Sequence, residues 1–269
     1  EFASMVPIAG SAYTYAYASL GEIFAWLIGW DLILEYAVGS MAVAIGWSGY
    51  MQRLLAGAGI ELPIWMSAAP SAQTPGAIIN LPAVIIVFLI MVLLVIGVRE
   101  SARFNAAMVA VKGLAILFFI AVGASWVRPE NWTPFAPYGT SGVMAAAAVV
   151  FFAYIGFDAV STTAEEAKNP RRDLPIGIIA SLVVCTALYL AVAAVLSGIV
   201  PVTQYRSAAD ALPGMPVGDG TAVTQFLNAP VTFALALIGQ DWAAYLVSAG
   251  AVAGITSVLL VMLMSQPRI

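Results

Sequence analysis

Six long apolar runs restrict the fold of this chain more than any other feature of the sequence. A helix needs about 20 predominantly apolar residues to cross a bilayer, and each run approaches or exceeds that length. The sequence therefore predicts an all-α, polytopic membrane protein, with residues 1–269 forming a single, incomplete transmembrane domain. The predicted spans are residues 22–52, 78–98, 101–125, 140–165, 176–200 and 242–264.

The composition agrees with a lipid-facing surface and disfavours an enzyme. Charged residues make up 9% of the chain, against about 25% in ordinary soluble domains. The chain has no His, so it lacks the usual general base, proton shuttle and metal ligand. Its one Cys, Cys185, excludes an intrachain disulfide. We expect no catalytic residues, no metal and no cofactor other than a proton as coupling ion, and the net charge of −4 gives no sign of nucleic-acid binding.

The distribution of basic residues predicts the orientation of the spans. Cytoplasmic loops of membrane proteins carry an excess of Lys and Arg. If every span crosses, six of the ten basic residues fall on one side: Arg99, Arg103, Lys168, Arg171, Arg172 and Arg268. We therefore expect loops 99–103 and 166–174 to lie in the cytoplasm. On the other side, residues 126–139 and 201–228 are predicted loops, and the apolar stretch 231–238 is either a re-entrant or surface helix or a simple packed loop.

Lys112 is the sharpest single signal for function, because it lies near the middle of the third predicted span. A central Lys costs roughly 2.5–3.5 kcal/mol on insertion scales, so it needs a partner or a water-filled cavity. Burial disfavours the charged form of a lysine, which allows a buried lysine to exchange protons. The alternative is a Lys that extends to the membrane interface.

A break in the fourth predicted span is the second signal. Residues 151–158 place Gly156 and Asp158 inside an otherwise apolar helix. Gly lets the backbone leave the helical conformation, and Asp prefers caps to helix interiors. Unwound backbone at membrane depth must face protein or a cavity, where its carbonyl groups can bind a cation. The alternative is an ordinary kink with Asp158 in a structural pair.

Acidic and hydroxyl side chains supply further candidates. Asp31 and Glu35 are spaced i, i+4 on the first span, so they share a helix face and either line a polar path or neutralise Lys112. For Asp31 the alternative is a position near the membrane interface. On the last span, Gly250 and Gly254 form a small-xxx-small pattern that allows close helix approach. Thr256 and Ser257 follow that pattern, and they either face Lys112 or bond back to their own helix. Pro170 is expected to end one helix, with Asp173 capping the next.

The chain resembles the amino acid/polyamine/organocation (APC) superfamily of amino acid permeases, and especially bacterial relatives of the cationic amino acid transporters. The resemblance rests on Phe-Phe-Ala-Tyr-Ile-Gly-Phe-Asp at 151–158, on Glu-Glu-Ala-Lys-Asn-Pro at 165–170 and on Pro-Ile-Gly at 175–177. Residues 7–13 resemble the start of the third family helix, and Lys112 matches the helix-five lysine of the proton-coupled members. The resemblance implies a leucine-transporter-like bundle of inverted repeats. The six spans would then be family helices three to eight of twelve, and the missing helices of the same chain would be partners.

The resemblance also implies a site. Carbonyl groups around Phe152, Ala153 and Ile155 would take the α-ammonium of an amino acid. Thr256 or Ser257 would be the helix-eight neighbour of Lys112. Apart from the resemblance, Glu35 is a candidate to face a cationic side chain of the substrate, and the alternative is a structural role. The predicted substrate-binding set is Phe152, Ala153, Tyr154, Ile155, Gly156, Asp158 and Glu35. The predicted proton-coupling set is Lys112, Thr256 and Ser257.

These observations predict secondary active, proton-coupled amino acid transport by alternating access, in a multi-pass protein of the plasma membrane. One alternative is an uncoupled exchanger or facilitator in which Lys112 is a fixed structural cation. A membrane enzyme or a non-transporting subunit is not expected, because the chain shows no nucleophile-and-base set, no P-loop and no zinc-protease motif.

Overall fold

A computed structural model describes residues 11–70, 75–96, 102–154, 156, 169–200 and 229–268. Within these ranges the chain is helical, with turns between the helices and an isolated β-bridge from Ser67 to Asn80. The helices are α1 (Ser11–Leu20), α2 (Glu22–Gly57), α3 (Ile64–Ser67), α4 (Leu81–Ile96), α5 (Ala102–Ala124), α6 (Gly139–Val150), α7 (Pro170–Ile199), α8 (Pro230–Leu237) and α9 (Asp241–Ser265).

Four helices in the described part of the chain are long and apolar enough to cross a membrane: α2, α5 from Ala107, α7 and α9. The shorter apolar helices α4 and α6 coincide with parts of the second and fourth predicted spans. Residues 97–101, and 157–168 after α6, lie outside the described ranges. Large apolar side chains such as Ile179, Val183 and Leu190 are exposed along α7. Exposed apolar surface of this kind marks a contact with lipid or with other protein helices.

The chain divides into two compact units, and each is considered by itself. The first unit contains Glu1–Ala42, Met144–Tyr189 and Leu259–Ile269. In its described part, the buried Leu174 of α7 packs against Tyr15 and Ile178. The ring of Tyr13 packs against Gly29 of α2, where a Cβ would lie 3.2 Å from the ring.

The second unit contains Val43–Val143 and Leu190–Val258. Its core is apolar and is built around Phe119 of α5. The buried residues of that core are Phe119, Val195, Ile199, Val200, Ala234, Leu235, Ala243, Ala244 and Val247. The apolar stretch predicted at 231–238 falls in the short helix α8, so it is helical rather than a simple packed loop. Its middle residues are buried against the core rather than lying on a surface.

The connection between α5 and α6 covers the carboxyl end of α7 within the second unit. The Asn131 Nδ2 group donates to the carbonyl of Gly198 at 2.7 Å, and the Trp132 Nε1 group donates to the carbonyl of Ala194 at 3.2 Å. The backbone N–H of Arg128 also donates to Gly198, at 3.0 Å. Helix ends leave carbonyl groups without intrahelical partners, and this loop supplies donors to the one of Gly198.

The start of α7 differs from the sequence prediction. The sequence predicts a loop at 166–174 and a helix from residue 176, but α7 begins at Pro170. Proline is favoured at the first helical position, and the Asp173 carboxylate accepts a hydrogen bond from the backbone N–H of Asn169 at 3.2 Å. The basic residues Arg171 and Arg172 therefore lie in the first turn of a helix. Residues 166–168 lie outside the described part.

Candidate functional site

Lys112 lies almost at the centre of α5, as its eleventh residue of 23. Its side chain packs against α9 within the second unit, because Gly254 lies directly opposite it. A Cβ built on Gly254 would lie 2.6 Å from the Lys112 Cβ, 3.6 Å from its Cγ and 3.5 Å from its Cδ. The aliphatic stem of Lys112 therefore passes along the face of α9 at a point where that helix has no side chain.

A second glycine forms the neighbouring contact of the same helix pair. A Cβ built on Gly250 would lie 2.5 Å from the Cβ of Ala115. Moving three residues forward on α5, from Lys112 to Ala115, corresponds to moving four residues back on α9. The two helices therefore run antiparallel, and the small-xxx-small pattern of α9 allows the close approach that its sequence predicted.

Thr256 and Ser257 follow Gly254 on α9 but lie on different faces. Ser257 is three residues beyond Gly254 and shares its face, whereas Thr256, two residues beyond, lies about 200° around the helix. The Thr256 hydroxyl accepts a hydrogen bond from Trp47 Nε1 of α2 at 2.9 Å and donates to the carbonyl of Val252 at 2.7 Å. The buried Ser257 hydroxyl donates to the carbonyl of Gly254 at 2.8 Å and keeps its oxygen as an acceptor. Ser257 is therefore on the face of α9 that contacts Lys112.

The predicted break in the fourth span coincides with a change of backbone conformation. The α-helix α6 ends at Val150 and continues as a 3₁₀ turn, Phe151–Tyr154. Gly156 has a φ of 98°, in the left-handed region that glycine adopts without strain. The backbone of Phe152 and Ala153 is thus outside the α-helix. Ile155 and Asp158, which belong to the predicted substrate-binding set, lie outside the described residues.

Two side chains of α7 hold this 3₁₀ turn, and sequence reasoning missed both. The Tyr189 hydroxyl donates to the carbonyl of Ala153 at 2.7 Å. The hydroxyls of Tyr154 and Thr186 are hydrogen-bonded at 3.1 Å, and the rings of Tyr154 and Tyr189 meet edge to face. Thr186 and Tyr189 are spaced i, i+3 on an otherwise apolar stretch of α7. That spacing puts both on one helix face, and it is the signal that could have identified them.

Glu35 lies in the middle of α2, within the first unit, and is half-buried, while Asp31 one turn earlier is exposed. The predicted site residues therefore form two groups. Lys112, Gly254 and Ser257 come together in the second unit. Ala153, Tyr154 and Gly156 belong, together with Tyr189 and Glu35, to the first.

The carbonyl group of Ala153 illustrates what the turn offers chemically. A carbonyl oxygen has two acceptor positions, and Tyr189 uses one of them. Backbone carbonyls released from helical hydrogen bonding can bind an ammonium group or another cation. The arrangement is suited to binding a positively charged group.

Comparison with known proteins gives one family for the entire chain. The sequence profile described as "Amino acid permease" matches residues 1–269. The branched-chain amino acid permease BcaP of Bacillus subtilis (strain 168) is 50% identical over 270 residues, which cover 100% of this chain and 54% of that protein. The methylthioribose transporter of the same organism is 48% identical over 269 residues, covering 100% of this chain and 54% of that protein.

More distant relatives include the cationic amino acid transporter 4, vacuolar, of Arabidopsis thaliana. It is 36% identical over 275 residues, which cover 100% of this chain and 42% of that protein. The chain thus spans about half the length of the relatives it matches.

Proposed function

Because the chain belongs to the amino acid permease family, a family of polytopic membrane transporters, we propose that the protein carries an amino acid across a membrane. Its relatives are named permeases and transporters rather than enzymes. We place the protein in the plasma membrane, with residues 1–269 as part of one transmembrane domain. Loop 99–103 and the segment 166–174 lie on the cytoplasmic side in this proposal. The second segment includes the start of α7, which begins at Pro170.

The transport is coupled to protons, and the observation that supports this part of the proposal is the position of Lys112. A lysine at the centre of a membrane-spanning helix is costly and marks an ion pathway more often than a structural element. Its stem lies in close contact with α9, whose Ser257 hydroxyl is on the same helix face. We assign the neighbouring position on α9 to Ser257 rather than to Thr256, because the Thr256 hydroxyl bonds to Trp47 on another face.

Substrate binds against the 3₁₀ turn Phe151–Tyr154 in this proposal, and the site opens alternately to either side. The α-ammonium takes carbonyl oxygens near Phe152, Ala153 and Ile155. Of these, Phe152 and Ala153 lie in the 3₁₀ turn that follows α6, and Gly156 has a positive φ. Protonation of Lys112 is linked to which side the site faces. Tyr189 and Thr186 keep the turn in place from α7.

The names of the relatives give three hypotheses for the substrate. Those near 50% identity are named for branched-chain amino acids and for methylthioribose, whereas those named for cationic amino acids are 35–39% identical. A substrate without a cationic side chain is thus favoured over a cationic amino acid. If Glu35 does face a cationic side chain, E35Q will reduce uptake of arginine and lysine more than that of leucine, and an equal reduction makes Glu35 structural.

Uptake by the full-length protein in proteoliposomes tests the proposal. Labelled leucine is the probe, and unlabelled valine, arginine and methylthioribose compete with it. The variants K112M and K112R are compared at acid and neutral outside pH. Arg keeps a positive charge but does not release its proton in proteins. Proton coupling predicts that both variants lose the pH dependence of uptake. An uncoupled exchanger or facilitator with a fixed cation predicts that K112R transports like the wild type, and that result would refute the coupling role.

A further inference from the structure

The contact between Lys112 and Gly254 leaves room for a side chain on one helix only, because a Cβ built on Gly254 would lie 2.6 Å from the Lys112 Cβ. The lysine stem uses the space that any other residue at 254 would fill. This contact lies at the middle of α5, where Lys112 is most costly to place, and one turn before Ser257 on α9.

We propose that Gly254 is a positioning residue for Lys112. Because Gly254 has no side chain, the stem of Lys112 lies along α9 and carries its amino group towards the level of Ser257. The inference rests on the proposed function, since it gives Gly254 a role only through proton coupling at Lys112.

The direction of the lysine side chain follows from helix geometry. In an α-helix the Cα–Cβ bonds tilt towards the amino terminus. The contacts of Lys112 with Gly254 and of Ala115 with Gly250 show that α5 and α9 are antiparallel. The amino-terminal direction of α5 is therefore the carboxyl-terminal direction of α9, which leads from Gly254 to Ser257.

A methyl group on Gly254 would not be accommodated by rotation of the lysine. Its nearest neighbour, at 2.6 Å, is the Lys112 Cβ, which is fixed to the backbone, rather than the flexible end of the chain. Carbon atoms in contact are about 3.5–4.0 Å apart, so the two helices must separate by about 1 Å. A displacement of about 1 Å at a functional group can reduce a rate about 100-fold.

Gly250 offers a matched control on the same two helices. A methyl group there would lie 2.5 Å from the Cβ of Ala115, so G250A produces almost the same overlap one turn away. Ala115 carries no ionisable group. The two substitutions therefore impose the same kind of packing cost, and only G254A acts on the lysine side chain directly.

Few other titratable groups lie on the described helices packed around this contact. On α5 itself the other charged residue is Arg103. The segment of α2 in the same unit carries Tyr50 and Arg53, and α9 carries Asp241 and Tyr245. Arg53 pairs with Asp241 at 3.6 Å and lies 5.9 Å from the ring centre of Tyr245, at the end of α9 remote from Gly254.

The experiment compares G254A, G250A and K112M in the full-length protein reconstituted in proteoliposomes. Uptake of labelled leucine is measured at acid and neutral outside pH, and unfolding temperature is measured in detergent. We expect G254A and G250A to lower the unfolding temperature similarly. We expect G254A to lose the pH dependence of uptake as K112M does, while G250A keeps the wild-type ratio of acid to neutral uptake.

The outcomes separate this inference from the function on which it rests. If K112M keeps the wild-type pH dependence, the coupling role of Lys112 is refuted and the role of Gly254 with it. If K112M loses the pH dependence but G254A keeps it, or if G250A loses it as well, only the positioning role is refuted. If G254A does not reach the membrane, K112G/G254A is the deciding variant. It must restore insertion if the lysine side chain causes the clash, and failure to do so overturns the inference.

Discussion

Replacing Asn80 by Ala is expected to destabilise the second unit by more than the loss of one hydrogen bond. The side-chain carbonyl of Asn80 accepts from the Ser48 hydroxyl at 2.6 Å and from the backbone N–H of Ala83 at 3.2 Å. The second bond caps the amino terminus of α4, and the first satisfies a hydroxyl on α2 that is fully buried. Gln52 extends the cluster by donating to the Ser48 hydroxyl at 2.9 Å and to the carbonyl of Ser67 at 2.7 Å.

The magnitude follows from those two bonds. Loss of an amino-terminal cap costs about 1 kcal/mol. A buried hydroxyl left without its acceptor costs about 1–3 kcal/mol. N80A is therefore expected to lower the free energy of unfolding by about 2–4 kcal/mol. The measurement is a titration of the detergent-solubilised, full-length protein with sodium dodecyl sulfate, followed by tryptophan fluorescence.

A double substitution separates the two contributions to the N80A effect. S48A alone is expected to cost about 1 kcal/mol, because Asn80 keeps its bond to Ala83. In S48A/N80A no hydroxyl is left without an acceptor, so the double variant should be more stable than N80A by about 1–2 kcal/mol. The reasoning is refuted if S48A fails to improve N80A, or if N80A is as stable as the wild type.

Two further substitutions test contacts around the candidate site. T256V leaves the indole N–H of Trp47 without its acceptor, so it should destabilise the protein by about 1–3 kcal/mol in the same titration. The pH dependence of leucine uptake by T256V should stay that of the wild type. W47F/T256V should recover part of that loss in stability, because Phe has no N–H that needs an acceptor. If uptake by T256V loses its pH dependence, Thr256 belongs to the proton-coupling site after all. Y189F frees the carbonyl of Ala153 from its hydrogen bond and should change the KM for leucine several-fold, whereas T186V, which loses only the bond to Tyr154, should change it less. Equal KM values in the two variants would contradict a role for the Ala153 carbonyl in substrate binding.

The apolar runs of the sequence were sufficient to predict helices, because the length of such a run is set by the thickness of the bilayer and not by the helices that pack against it. The predicted span 242–264 and the helix Asp241–Ser265 differ by one residue at each end. The start of α7 is six residues earlier than predicted. The reason is local, because charged residues end an apolar run without ending a helix, and Asp173 stabilises the first turn that they occupy.

The contacts within the candidate site depend on pairs that are far apart in sequence, and periodicity alone does not identify them. Trp47 and Thr256 are separated by 209 residues, and nothing in either segment indicates the other. The sequence did show that Lys112 needs a neighbour and that the 250–254 pattern permits close approach. It did not show that these two features meet, because several helices in the chain carry small residues that would serve.

Thr256 and Ser257 show what a structure adds to a resemblance between sequences. As neighbours in the chain they are equal candidates for any motif that places a hydroxyl at this level of the helix. Successive side chains of an α-helix are rotated by about 100° about the helix axis, so two adjacent side chains contact different neighbours. Once Gly254 is known to face Lys112, this rotation alone places Ser257 on the lysine side, and the hydrogen bond from Trp47 independently accounts for Thr256. One backbone contact thus distinguishes two residues that the sequence left equivalent.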